Sequence, residues 1–192
     1  PGCAIYLDNS THGVEIFGNV FYRNIARTVK PWARTQIGVT NGHDHVISNN
    51  LFIENPGVKV DDGADNEKTR DGFSRRKLML EEDVEVTKPP YSTRYPDFLR
   101  TYLGVMVNND ASTPLCSRVF NNAIISCNEG MNTGRYPESD YRHHNVEIDT
   151  DPGFVNEAAE DFTLRPDSVV FKQIPNFEPI PFEKMWHSRR VR

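Results

Sequence analysis

Apolar residues recur along this chain in clusters of two or three, set apart by Asn and Gly, rather than in helical stripes. Three clusters share one spacing, apolar-x-x-Asn-x-apolar-x-x-Asn. Ile16, Asn19, Phe21 and Asn24 fill its four sites in the first copy. Ile47, Asn50, Phe52 and Asn55 fill them in the second, and Val119, Asn122, Ile124 and Cys127 in the third. Each copy follows another short alternating run: Ile5-Tyr6-Leu7-Asp8, Ile37-Gly38-Val39-Thr40 and Gly104-Val105-Met106-Val107-Asn108. Runs this short are strands, not helices. The Gly-Asn and Asn-Asn pairs between them suit bends that need left-handed dihedrals.

A unit of two or three short strands cannot bury its apolar face alone, but stacked copies can. Asn19 and Asn50 are 31 residues apart. That predicts an all-β, wide three-sheet parallel β-helix in which like residues form ladders, with stacked Asn amides bonding along the axis. About three coils are expected over residues 1–148, and a C-terminal cap with a basic tail over 149–192. The third copy lies 72 residues after the second. The excess is assigned to an insertion at 56–102. Within it Val84-Glu85-Val86 reads as a strand and Pro96 as the start of a short helix. A long insertion is commonly functional, and Tyr91, Arg94 and Tyr95 are expected to form a lid or cleft wall.

Composition narrows the partners. The chain has 192 residues and a formal net charge of −5, which argues against a nucleic-acid groove. No apolar run approaches membrane-spanning length, so no membrane insertion is expected. Cys3, Cys116 and Cys127 have no zinc-like or disulfide spacing and read as small buried hydrophobes. No metal or other cofactor is expected. The chain opens at Pro1-Gly2-Cys3 without Met and passes straight into a strand. This reads as continuation from further N-terminal coils.

The stretches Ala4 to Asp8, Gly18 to Phe21, Asn41 to Ile47, Pro89-Pro90-Tyr91, Arg94 to Asp97, Asp151 to Val155, Phe162 to Ser168 and Ile180 to Lys184 carry a resemblance. The chain resembles right-handed parallel β-helix proteins of the pectin-lyase-like superfamily, and within them bacterial glycoside hydrolases of the α-L-fucosidase and xylanase type. The resemblance implies right-handed coiling, action on a polysaccharide or oligosaccharide, and a secreted or periplasmic location. The family's Gly-Gly-Arg-Asp stretch stands here as Asn41-Gly42-His43-Asp44.

Strand alternation turns Tyr6, Asp8, Thr40 and Asn108 outward, with Asp8, Thr40 and Asn108 in one row across coils roughly 4.8 Å apart. Asp44 follows in the bend after Thr40. Asp8 and Asp44 form the expected acid/base pair, since glycoside hydrolysis uses two carboxylates roughly 5 to 9.5 Å apart. Tyr6, Thr40, Asn108, His12 and His43 are expected to contact sugar, and Trp32 to offer a flat stacking face. Lys30 and Arg34 beside Trp32 are candidate bases for the alternative, a polysaccharide lyase or epimerase. A non-catalytic carbohydrate-binding or surface β-helix is the second alternative.

Overall fold

The computed structural model describes residues 3–7, 11, 13–24, 36–39, 44–55, 58–61, 78–107, 117–128, 130–132 and 142–185. Among them the chain is mostly β. Strands β1 (Ile5–Leu7), β2 (Glu15–Phe17) and β3 (Val20–Tyr22) form a first tier. A second comprises β4 (Ile37–Val39), β5 (Val46–Ser48) and β6 (Leu51–Ile53). A third comprises β7 (Val58–Asp61), β8 (Arg118–Phe120) and β9 (Ala123–Ile125). The fourth comprises β10 (Met131–Asn132), β11 (Arg142–His143) and β12 (Val146–Ile148). Each tier contributes one strand to each of three four-stranded sheets, ordered β1-β4-β7-β10, β2-β5-β8-β11 and β3-β6-β9-β12. Every pairing within these sheets is parallel.

Register stacks like on like. Ile16, Ile47 and Val119 form one inward row of the second sheet, and Phe21, Phe52 and Ile124 one inward row of the third. The Phe21 and Phe52 rings stack at 4.7 Å with 7° between their planes. With Ile37 and Val39 these residues make one buried core. The bends between the second and third sheets hold left-handed residues at Gly18, Asn49, Asn121 and His144, with φ between 53° and 68°. Glycine adopts this conformation without strain, and Asn and His are enriched in it among other residues.

The asparagine after each such residue builds a ladder. Asn19, Asn50 and Asn122 each donate a side-chain N–H to the Oδ1 of the next rung, at 3.1, 2.9 and 2.8 Å, ending on Asn145. Each Oδ1 also accepts the backbone N–H of the rung before it. Asn50, Asn122 and Asn145 donate back to the carbonyls of Ile16, Ile47 and Val119. A second ladder joins Asn24 to Asn55, and the Cys127 thiol takes the next rung by donating to the Phe52 and Ile125 carbonyls at 3.6 Å. Cys127 is half-buried rather than buried as expected, and the burial it has raises the thiol's pKa. Cys3 is half-buried, and Cys116 lies outside the described residues.

The opposite face of the third sheet carries Leu51, Ile53, Ala123, Ile125 and Ile148. Phe154, Phe162, Val170, Ile174, Phe177 and Ile180 of the C-terminal segment bury them. This segment comprises the antiparallel pair β13 (Phe154–Asn156) and β14 (Asp161–Leu164), then short helices at Val169–Gln173 and Phe182–Met185. It lies along the flank of all four tiers, from Tyr22, whose ring meets Phe162 at 4.7 Å, to Ile148. Asn49 fastens it by exchanging two hydrogen bonds with the Glu178 backbone. Gly153 is required where it stands: its φ is 87°, and a Cβ there would lie 3.0 Å from Ser168 Cα. The basic tail lies outside the described residues, as do its arginines.

Several expectations change. Among the described residues the tiers number four, not about three. In the fourth, Arg142 and Glu147 occupy the register positions of Val119 and Ile124. The apolar signature is lost there while the Asn survives. The third tier opens with Val58–Asp61, so the insertion lies between β7 and β8 rather than at 56–102. The run Gly104 to Val107 is no strand. It belongs to a π-helical turn, Tyr102–Val107, continuing the helix Pro96–Thr101 that Pro96 does begin. Val84-Glu85-Val86 is likewise no strand; it follows the π-helical turn Met79–Asp83, and Val86 is buried.

Candidate functional site

A cavity of about 460 Å³ lies between the bends that lead into the second sheet and the insertion. Gly13, Asp44 and Arg118 supply the body side. Leu80 and Val84 come from the π-helical turn Met79–Asp83 and the residue that closes it. Tyr91 and Arg94 come from the helix Tyr91–Arg94, and Tyr95, Pro96, Asp97 and Phe98 from the start of the next. Asp44 therefore shares one cavity with Tyr91, Arg94 and Tyr95.

The Asp44 corner is set by stacking. Gly13 and Asp44 stand 31 residues apart in equivalent bends, with φ of 66° and 59°. Asp is tolerated in this left-handed region better than most residues, because its short side chain can bond locally. The next residue, His45, is fully buried and accepts the Val14 N–H at Nδ1, 3.3 Å. Val46 N–H then donates to the Val14 carbonyl and Arg118 N–H to the His45 carbonyl, at 2.9 and 2.7 Å. Asp44 and Arg118 are thus fixed to consecutive tiers by backbone bonds.

The insertion is braced from within. Tyr102, only 1% exposed, donates its hydroxyl to Glu81 Oε1 at 2.6 Å, joining the two π-helical turns. Burial, and then the carboxylate beside it, push this phenol up to about 12. Tyr91 and Tyr95, one helical turn apart, set their rings 6.2 Å from each other at 34°. Both remain substantially exposed, at 40% and 53%. A part-exposed aromatic pair beside polar groups is the usual furniture of a ligand pocket.

The other expected site residues divide. Tyr6 is exposed on the first sheet, and its ring covers Gly38, where an added Cβ would come within 2.9 Å of the ring. It is not among the residues lining the cavity. Asp8, His12, Trp32, Thr40, His43 and Asn108 lie outside the described residues, as do Lys30 and Arg34. The row expected to hold Asn108 required a strand where the chain is helical. In the first sheet the third position beside Tyr6 and Gly38 is taken by Asp61. Asp97 and Arg118 line the cavity without having been expected. Asp97 was legible only as a residue of the helix start, and Arg118 only as the outward neighbour of a repeat position. The pair His143-His144 lies elsewhere, with His143 stacked on Phe120 at 5.2 Å.

Among the described residues no three His, Cys, Asp or Glu side chains gather in a way that could hold a metal ion. No helix among them is long and apolar enough to cross a membrane. Compared with known proteins, the chain matches no family model, no curated protein and no solved structure.

Proposed function

We propose that the chain is a right-handed parallel β-helix of the pectin-lyase-like kind and that its insertion-roofed cavity binds a polysaccharide and hydrolyses a glycosidic bond. Three features support the fold reading: three parallel sheets visited in turn, ladders of like residues, and the strong right-handed preference of crossovers between parallel strands. The observation that carries the functional reading is the meeting of Asp44 with Tyr91, Arg94 and Tyr95 around one cavity. Tyrosine faces stack on the C–H surfaces of sugars, and carboxylates supply acid and base to the bond being cleaved. Asp44 takes one of these roles. Asp97 on the facing wall is the second carboxylate among the described residues that line the cavity, and Asp8 remains the partner expected from the sequence. Such an enzyme would work outside the cytoplasm, as secreted and periplasmic polysaccharide hydrolases do.

The test is turnover of a polysaccharide panel, followed by release of reducing ends. Asp44→Asn should abolish turnover and leave binding within about twofold. Unsaturated products absorbing in the ultraviolet would replace hydrolysis by lyase chemistry. Turnover unaffected by Asp44→Asn would remove Asp44 from the mechanism. A second reading, carbohydrate binding without catalysis, is favoured by one observation. Asp44 repeats the left-handed bend of Gly13, so its backbone position alone accounts for a short polar residue there.

A further inference from the structure

The charged groups around the cavity are not equally engaged. Asp97 is paired with Arg100 on its own helix at 3.4 Å, and Asp44 also has an interaction partner. Arg94 and Arg118 differ: among the described residues neither guanidinium has an ion-pair or hydrogen-bond partner. They stand on opposite sides of the cavity, Arg94 at the end of a helix of the insertion and Arg118 at the first position of β8. The chain as a whole is acidic, with a net charge of −5, so two cations on one cavity without partners among the described residues do not follow from composition. A guanidinium offers a planar fork of donors that matches the oxygens of a carboxylate or sulfate, and a cavity concentrates the field of two.

We propose that this cavity takes an anionic saccharide unit, with its carboxylate or sulfate ester held between Arg94 and Arg118 and its ring against Tyr91 or Tyr95. This rests on the carbohydrate reading of the cavity. It adds the substrate class, and it gives Arg118 a binding role that the sequence repeat conceals.

The experiment is titration calorimetry of the whole chain with three probes: tetragalacturonate, sulfated cellotetraose and unmodified cellotetraose. At least one anionic probe should bind about tenfold or more tightly than the neutral one, and the stronger of the two separates carboxylate from sulfate. Arg94→Gln and Arg118→Gln should each cut that preference by about tenfold while changing neutral binding less than about twofold. Both side chains are exposed, and an unaltered melting temperature checks each fold; should one variant fail to fold, the other carries the test. If the neutral probe binds as tightly as the charged ones and the variants change nothing, the inference falls and the carbohydrate reading stands. If none of the three probes binds, the carbohydrate reading falls and takes the inference with it.

Discussion

Asn50 donates its side-chain N–H to Asn122 Oδ1 at 2.9 Å, although 72 residues separate the two in sequence. Both are fully buried, and each also reaches a backbone carbonyl of the tier before it. The bond therefore brings together the two ends of the segment that contains the insertion. It fixes the register of β8 on β5, and with it the place of Arg118 on the tier after that of Asp44.

Asn122→Ala leaves the Asn50 backbone N–H, the Asn50 amide and the Ile47 carbonyl without their ladder partner. Unsatisfied buried groups of this kind cost about 1–3 kcal/mol each before relaxation. The variant should lose about 3 kcal/mol in denaturant unfolding. Asn19→Ala, at the outermost described rung, should lose about 1 kcal/mol. Equal losses at the two positions would show that the ladder is not what stabilises the stack.

In acid the flank segment should loosen first. The Asp151 carboxylate accepts the Gly153 N–H at 2.8 Å and the Arg165 guanidinium at 3.1 Å, and both hold its pKa below the usual value. Thr163 does the same for Asp161 through its hydroxyl and its N–H. A carboxyl depressed on folding contributes stability above its unfolded pKa and loses it as pH falls through the folded one. Hydrogen exchange at Phe154–Leu164 should accelerate below about pH 4. In Asp151→Asn the acceleration should be smaller; an identical acid response in that variant would exclude Asp151 as a source.

Alkali should act on the roof of the cavity. Tyr102 is raised to about 12, so its contribution is complete below the unfolded value near 10 and is lost as pH rises from there through 12. Among the chain's seven tyrosines burial also raises Tyr22, but Tyr102 is shifted furthest and should ionise last in ultraviolet titration. Tyr102→Phe should remove that late phase. If the phase persists in the variant, it belongs to another phenol.

Much of this arrangement was legible in the repeat. Asn19, Asn50 and Asn122 announced the ladder because their spacing from flanking apolar residues is constant. The fourth rung, Asn145, escaped because Arg142 and Glu147 stand where the earlier tiers carry Ile or Val and Phe or Ile. The strand Val58–Asp61 was hidden by the charged run after it, while Gly104 to Val107 imitated strand alternation and instead extended a helix. At the cavity, Asp44, Tyr91, Arg94 and Tyr95 were legible as residue types suited to sugar. Arg118 and Asp97 were not, since alternation and helix-start patterns say which way a backbone runs, not which surface a distant insertion will cover.

The most direct test of the cavity as a carbohydrate site is calorimetric titration of native chain and Tyr95→Ala with an oligosaccharide drawn from the polysaccharide panel. Tyr95 is exposed and lines the cavity, so its truncation should leave the melting temperature unchanged. The account predicts that the native chain binds and that Tyr95→Ala weakens binding by about tenfold, the loss expected of an aromatic platform. Unaltered affinity in the variant, or no oligosaccharide bound by the native chain, would contradict it.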